Sequence, residues 1–222
     1  MSADTLSGAL IALEGIEGSG KSTIAERLVF QMREVGTSAI LSREPGGTAI
    51  GEKIRELLLR EESSSMLPTT EALLFAAARA QHVGELIRPA LAKGHVVVTD
   101  RFTDSSLAYQ WGARGLERHV VNQAVDLATN GLEPDLKILL DLPVETALRR
   151  RLANSNDINR LDRESIAFHS RVRDAYHSLV AEDPARWCVI DGDRAADDVL
   201  ADVWTGVVSH GLLASGVGTI AR

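Results

Sequence analysis

Five short apolar runs recur along the chain: ALIALE (9–14), SAILSR (38–43), HVVVTDR (95–101), KILLDL (137–142) and RWCVID (186–191). Each ends near polar or turn residues. Their near-continuous apolar character predicts strands covered on both faces, as in a parallel sheet. Between them the apolar spacing predicts helices over 21–35, 48–60, 70–93, 104–111 with 117–130, 144–153 and 162–182. Strands alternating with helices predict a doubly wound α/β fold, in which ligands collect at the carboxyl ends of the strands. No repeat or linker breaks the pattern, so the 222 residues predict one domain over 1–222. The small-residue-rich tail SHGLLASGVGTIAR (209–222) is predicted to be frayed or loosely docked.

Composition narrows the function more than the fold. A hydrophobic content of 45% with 25% charged residues is ordinary for a soluble globular protein. The net charge of -7 argues against bulk nucleic-acid binding, while leaving room for a local basic patch that takes a small anion. No apolar stretch approaches the roughly 18 residues of a membrane span. The start MSADTLSG lacks the features of a secretion signal. The lone Cys188 cannot form an internal disulfide and, within an apolar run, reads as a buried structural thiol. The expectation is a cytoplasmic protein with no nucleic-acid or membrane partner.

The sharpest motif is LEGIEGSGKST (13–23), in which Gly15, Gly20, Lys21 and Ser22 satisfy G-x-x-x-x-G-K-[ST]. A predicted strand leads in and a predicted helix leads out. Glycines let successive N–H groups point inward, and the helix start adds positive potential. Gly15, Ile16, Glu17, Gly18, Ser19, Gly20, Lys21, Ser22 and Thr23 therefore form a candidate ATP cradle. Lys21 would reach the β- and γ-phosphates, and the Ser22 hydroxyl would ligate Mg²⁺. Such a loop specifies a triphosphate donor but no reaction. A guanine-reading N-K-x-D is absent, which disfavours a GTP-dependent switch.

Four further segments bear on the acceptor. SREPGGTAIGEKIRELLL (42–59) turns at Gly46-Gly47, with Thr48 as N-cap and Ile50, Ile54, Leu57 and Leu58 as an apolar stripe. Arg55 lies off that stripe, either solvated or facing a cleft. In TTEALLFAAARAQH (69–82), Pro68 and threonine caps open a helix on which Phe75 and Arg79 share a face. A ring with a nearby guanidinium suits a flat base, although Phe75 alone would more often be core. VVVTDRFTDSSLAYQ (96–110) ends a strand at Asp100, placed as a Walker B-like carboxylate for Mg²⁺, and Arg101, suited to gripping phosphate. If helix follows, Ser106 pairs with Gln110 and Ser105 with Tyr109. Finally, 149–173 carries seven arginines in 25 residues around the turn-like ANSNDIN. That reads as a lid over about 149–162, with Arg160 functional and Arg163, Arg171 and Arg173 on a solvated face.

Taken together, GIEGSGKST, REPGGT, LLFAAARAQ, DRFTDSSLAYQ and NRLD, in this order and spacing, resemble bacterial thymidylate kinase from about Leu10 to Asp191. The resemblance implies a P-loop, three-layer fold with a five-stranded parallel sheet and a closing lid. It implies transfer of the ATP γ-phosphoryl group to dTMP, and usually a homodimer. By resemblance, Phe75 stacks on thymine, Arg79 reaches its carbonyl edge, and Ser106 and Gln110 complete the base and sugar contacts. Tyr109 favours the deoxy sugar, while Arg55 and Arg101 hold the monophosphate. Glu17 faces the nucleotide being phosphorylated. With Gly18 and Ser19 in the P-loop, the lid must supply the catalytic arginine, expected to be Arg160 beside Lys21 and Arg101, with Arg150 an adenine neighbour. Other lids of the family read D-R-[IL]-E, so Asn159 and Asp162 are departures, and the tail from about 205 to 222 lies outside the resemblance. None of the six histidines falls in a plausible acid–base pair. The rivals are a kinase for another nucleotide and a non-catalytic ATP-binding module.

Overall fold

The computed structural model describes residues 7–153 and 158–213. The five apolar runs form strands β1 (Ala9–Glu14), β2 (Ala39–Arg43), β3 (Val96–Asp100), β4 (Leu136–Asp141) and β5 (Trp187–Asp191). They pair in parallel as one sheet in the order β2-β3-β1-β4-β5. Leu13 of β1 lies level with Asp100 of β3 and Ile138 of β4, which sets the strand ends side by side. β1 and β3 are buried nearly throughout. The edge strands β2 and β5 are only partly covered, leaving Leu41 and Val189 exposed.

Side chains of one strand serve two layers. Ile11 and Leu13 cluster with Ile24 and Leu28 of α1 (Lys21–Glu34) and with Val203 and Val207 of α9 (Ala196–Ser209). Leu10 and Ala12 cluster with Val83, Ile87 and Leu91. Leu139 joins Phe168, Val172 and Tyr176 of α8 (Ile166–Glu182). Each fully buried aliphatic or aromatic side chain is worth roughly 1.5–3 kcal/mol over exposure. These clusters therefore hold the end of β1 rigidly where the loop 15–20 begins. The chain reaches β2 and β3 on one side of β1 and β4 and β5 on the other, so that loop emerges at the switch point of the sheet.

The remaining helices are α2 (Ala49–Leu59), α3 (Pro68–His82), α4 (Arg88–Ala92), α5 (Thr103–Ser106), α6 (Arg118–Thr129) and α7 (Val144–Ala153). Thr48 caps α2 as expected, its hydroxyl accepting from the Gly51 N–H at 3.0 Å. The predicted stripe of α2 is only partly inward: Leu58 is buried, while Ile50 and Leu57 are exposed. Pro68 is the first residue of α3, so Thr69 and Thr70 are inside the helix and do not cap it. The long helix predicted over 70–93 is interrupted by a π-helical turn at Val83–Ile87, just ahead of Pro89. Proline has no N–H and its ring crowds the carbonyl four residues back, and a widened turn relieves both. The predicted helix over 104–111 is α5 followed by a π-helical segment, Leu107–Ala113. α9 is an addition to the predicted set; it takes in residues 205–209 of the segment outside the resemblance, of which only Ser209 falls in the expected loose tail. Residues 214–222 of that tail and 154–157 of the expected lid lie outside the described residues.

Candidate active site

Gly15 and Gly18 are required by close approach. A Cβ on Gly15 would lie 2.7 Å from the Leu140 carbonyl oxygen, and one on Gly18 would lie 2.0 Å from that of Ala147. Both also have positive φ, 140° and 77°. The loop is thus pressed against the start of α7. Ile16 puts its side chain in the core and its carbonyl on Lys21, whose Nζ donates to it at 2.8 Å and to Ser19 Oγ at 3.2 Å. Gly20 ends the loop, and Ser22 and Thr23 are exposed in the first turn of α1. Burial, then the neighbouring Arg101, pushes the Lys21 ammonium down to about 8. The Ser22 hydroxyl bonds Asp100 Oδ2, so the two expected metal-binding oxygens are together.

Arg101 leaves β3 with φ 75°, a left-handed conformation rare for a side-chain-bearing residue and a common form of strain at functional sites. One guanidinium nitrogen donates to the Gly15 carbonyl at 2.8 Å and to Ser105 Oγ at 3.1 Å. The other donates to Glu17 Oε1 at 2.9 Å and to the Tyr109 hydroxyl at 3.1 Å. Tyr109 in turn donates to Glu17 Oε2 at 2.6 Å. Burial alone would raise the pKa of Glu17, but Arg101, His169 and Lys21 outweigh it and hold the carboxyl well below the usual range. Glu17 is therefore tied to Arg101 and Tyr109 in the wall of the cleft. His169 is the one histidine that touches this group: fully buried, with Nδ1 3.4 Å from Glu17 Oε2.

One cleft is lined by Lys21, Ser22 and Asp100 together with Arg55, Phe75 and Gln110. Glu17, Arg101, Ser106 and Tyr109 line the same cleft. Arg55 donates to the Pro45 carbonyl at 2.8 Å, which orients it into this space. Ser106 and Gln110 share a face despite the π-helical segment.

Three expected site residues, Arg79, Arg160 and Arg150, do not line the cleft. Arg79 is 2% exposed and does not line the cleft with Phe75. Its guanidinium donates to Glu44 Oε2 at 2.7 Å, to Ser106 Oγ at 2.8 Å and to the Phe102 carbonyl at 2.8 Å, so it fixes the slot from behind. Arg160 is also buried and does not line the cleft. It bonds the Leu58 carbonyl and pairs with Glu71 Oε2 at 2.7 Å, because the turn carrying it packs on the end of α2 and on α3. The arginine of the expected lid that does line the cleft is Arg151, pressed beside Gly18 and held in a two-bond pair by Asp162 at 2.8 and 2.7 Å. The Asn159 N–H donates to Asp162 Oδ2, and the Asp162 N–H returns to Asn159 Oδ1, so these two departures from the family pattern cap the turn reciprocally. Arg150 turns away toward the end of β5, donating to the Gly192 carbonyl at 2.7 Å and pairing with Asp193 at 3.1 Å.

Three comparisons bear on this arrangement. A family model described as thymidylate kinase matches residues 13–203. Thymidylate kinase of Thermomicrobium roseum is 50% identical over 197 residues, covering 89% of this chain and 93% of the relative. That of Geobacter sulfurreducens is 48% identical over 204 residues, covering 88% and 96%. The crystal structure of thymidylate kinase from Ehrlichia chaffeensis superposes with a TM-score of 0.75 at 28% identity, covering 90% of this chain and 98% of that one. The phosphate loop, Arg101 and Phe75 all lie within the matched residues 13–203, and the chain belongs to the thymidylate kinase family.

Proposed function

We propose that this chain carries out its family's reaction, moving the γ-phosphoryl group of ATP to dTMP to give dTDP and ADP, with the two nucleotides entering opposite ends of the one cleft. The observation that carries this reading is the shared lining: Lys21, Ser22 and Asp100 face the same cleft as Arg55, Phe75, Gln110 and the Arg101–Glu17 pair. Phe75 offers a stacking face for thymine and Tyr109 crowds the sugar. Arg55 and Arg101 hold the acceptor phosphate. Arg79 acts on the base through Ser106, and Arg150 borders the adenine end.

The nucleophile is an oxygen of the dTMP phosphate, already largely dianionic because its second pKa is about 6. No side chain has to remove a proton. Catalysis then reduces to alignment and charge neutralisation by Lys21, Arg101 and a lid arginine. We assign that last role to Arg151 instead of Arg160, because Arg151 faces Gly18. The Ser22 hydroxyl and Asp100 carboxylate are hard oxygen donors, and Mg²⁺ typically takes one or two such groups plus substrate phosphates. Bound there, the ion would supply further neutralisation of phosphate charge.

No helix of the described residues is long and apolar enough to cross a membrane. A cytoplasmic setting accompanies the reading. So does a homodimer, for which the exposed Ile50 and Leu57 of α2, Leu73 of α3 and Leu127 of α6 on successive packed helices offer an apolar face.

The test uses ATP labelled at the γ-phosphate, with Mg²⁺ and a panel of dTMP, dUMP, dCMP, CMP, AMP and GMP. The expected result is label in dTDP, one per ADP formed, with dTMP the preferred acceptor. ATP binding without labelled product, or faster labelling of another monophosphate, would overturn the reading.

A further inference from the structure

Glu71 is 1% exposed on α3, behind the acceptor end of the cleft. Its carboxylate gathers three partners that are distant in sequence. Gln110 Nε2 donates to Oε1 at 3.0 Å. Arg114 donates to both oxygens at 3.2 Å. Arg160 Nη1 lies 2.7 Å from Oε2. Burial would raise the pKa of Glu71, yet Arg114, Gln110 and Arg160 together hold it below the ordinary carboxylate value. It is therefore ionised at neutral pH and can only accept hydrogen bonds.

That restriction has a consequence for Gln110. An amide can present either its oxygen or its nitrogen to a given neighbour. Against an ionised carboxylate only the NH₂ end fits. The Gln110 side chain lines the cleft, and its Oε1 has no hydrogen-bond partner among the described residues. The oxygen is thereby left to accept from a base edge. A thymine or uracil ring carries an imide N–H at the edge a stacked base would turn to Gln110, whereas cytosine carries a bare ring nitrogen there. Two acceptors facing each other repel, and a buried acceptor left without a donor costs free energy.

We propose that Glu71 is a specificity-determining positioning residue: by locking the amide of Gln110, it makes the slot select a pyrimidine that has an imide N–H over one that lacks it. The same carboxylate holds Arg160 and so the turn Asn159–Asp162, whose Asp162 grips Arg151. Base recognition and the placement of the lid arginine therefore share one anchor. This inference rests on the phosphoryl-transfer reading above.

The experiment compares kcat/KM for dTMP and dCMP in the wild type, in Glu71→Gln, and in the exchange Glu71→Gln with Gln110→Glu. Wild type that fails to phosphorylate dTMP contradicts the functional reading itself. Given an active wild type, Glu71→Gln frees the amide to flip, and the dTMP-over-dCMP ratio falls by about tenfold or more, as expected when one matched hydrogen bond is lost. The exchange restores an acceptor-only group at position 110 and returns the ratio to within about threefold of wild type. A merely structural Glu71 would lower both activities together. An unchanged ratio in Glu71→Gln overturns the proposal, and so does a collapsed ratio in the exchange, which decides the matter if the single variant does not fold.

Discussion

Arg101 and Glu17 pair at 2.9 Å in the wall of the cleft, one from the end of β3 and the other from within the phosphate loop. Both are largely buried, with side-chain exposures of 15% and 13%. An isolated carboxylate among phosphates would repel them. Here its charge is balanced by a guanidinium whose remaining N–H groups reach Gly15, Ser105 and Tyr109. The pair therefore joins the donor cradle to the acceptor slot, and removing either partner leaves the other charge poorly compensated.

Arg101→Ala removes a phosphate-gripping guanidinium and the counter-charge of Glu17. Turnover is expected to fall by about 10³-fold or more, the range for a positioned transition-state charge. Arg101→Lys keeps the charge but loses the fork, so it rescues only part of kcat. Steady-state kinetics with folded variants checks both.

Arg151 and Arg160 separate cleanly. Arg151→Ala is expected to lower kcat by about 10³-fold while the KM for dTMP moves only a few-fold. Arg160→Ala removes a partner of the buried Glu71 and should cost on the order of 2–4 kcal/mol in unfolding free energy. Denaturant titration beside initial rates discriminates the two. A kcat loss in Arg160→Ala without destabilisation would reverse the assignment.

Phe75 lines the cleft. Base–aromatic stacking is worth about 1–3 kcal/mol, so Phe75→Ala should weaken dTMP binding by roughly 5- to 150-fold. The KM for ATP should change little. Binding isotherms for the two nucleotides measure this directly.

The Lys21 ammonium titrates near 8 in the ligand-free protein, held down first by burial and then by Arg101. ATP phosphates favour the charged form and raise that value. Below pH 8 the lysine is already charged, and binding takes up no proton at this group. Above it, ATP binding draws a proton, so affinity falls as pH rises toward about 10, with a slope of up to tenfold per pH unit. Calorimetry at pH 8.5 in buffers of different ionisation enthalpy should record uptake of up to about three-quarters of a proton. Lys21→Arg should remove that uptake.

Much of this was readable without coordinates because it rests on local pattern. The five apolar runs are the five strands, and Gly15, Gly18 and Lys21 do in the loop what their spacing requires. α9 was missed although Val199, Val203 and Val207 recur every four residues, since its acidic first turn looks like loop. The π-helical turns depend on packing and proline geometry that periodicity does not encode. Among seven arginines, sequence could not tell which face the phosphate loop, because that depends on carboxylates from elsewhere. Asp162 directs Arg151 and Glu71 directs Arg160. Arg79 is likewise held by a carboxylate distant in sequence, Glu44 just past the end of β2.

The most direct test is a crystal structure with dTMP and a non-hydrolysable ATP analogue bound together. The thymine ring should lie on Phe75 with its imide edge toward Gln110, and the dTMP phosphate on Arg55 and Arg101. An acceptor oxygen should stand about 3–3.5 Å from the γ-phosphorus, in line with the leaving oxygen. A dTMP molecule bound outside this cleft, or a triphosphate lying away from Lys21, would contradict the account.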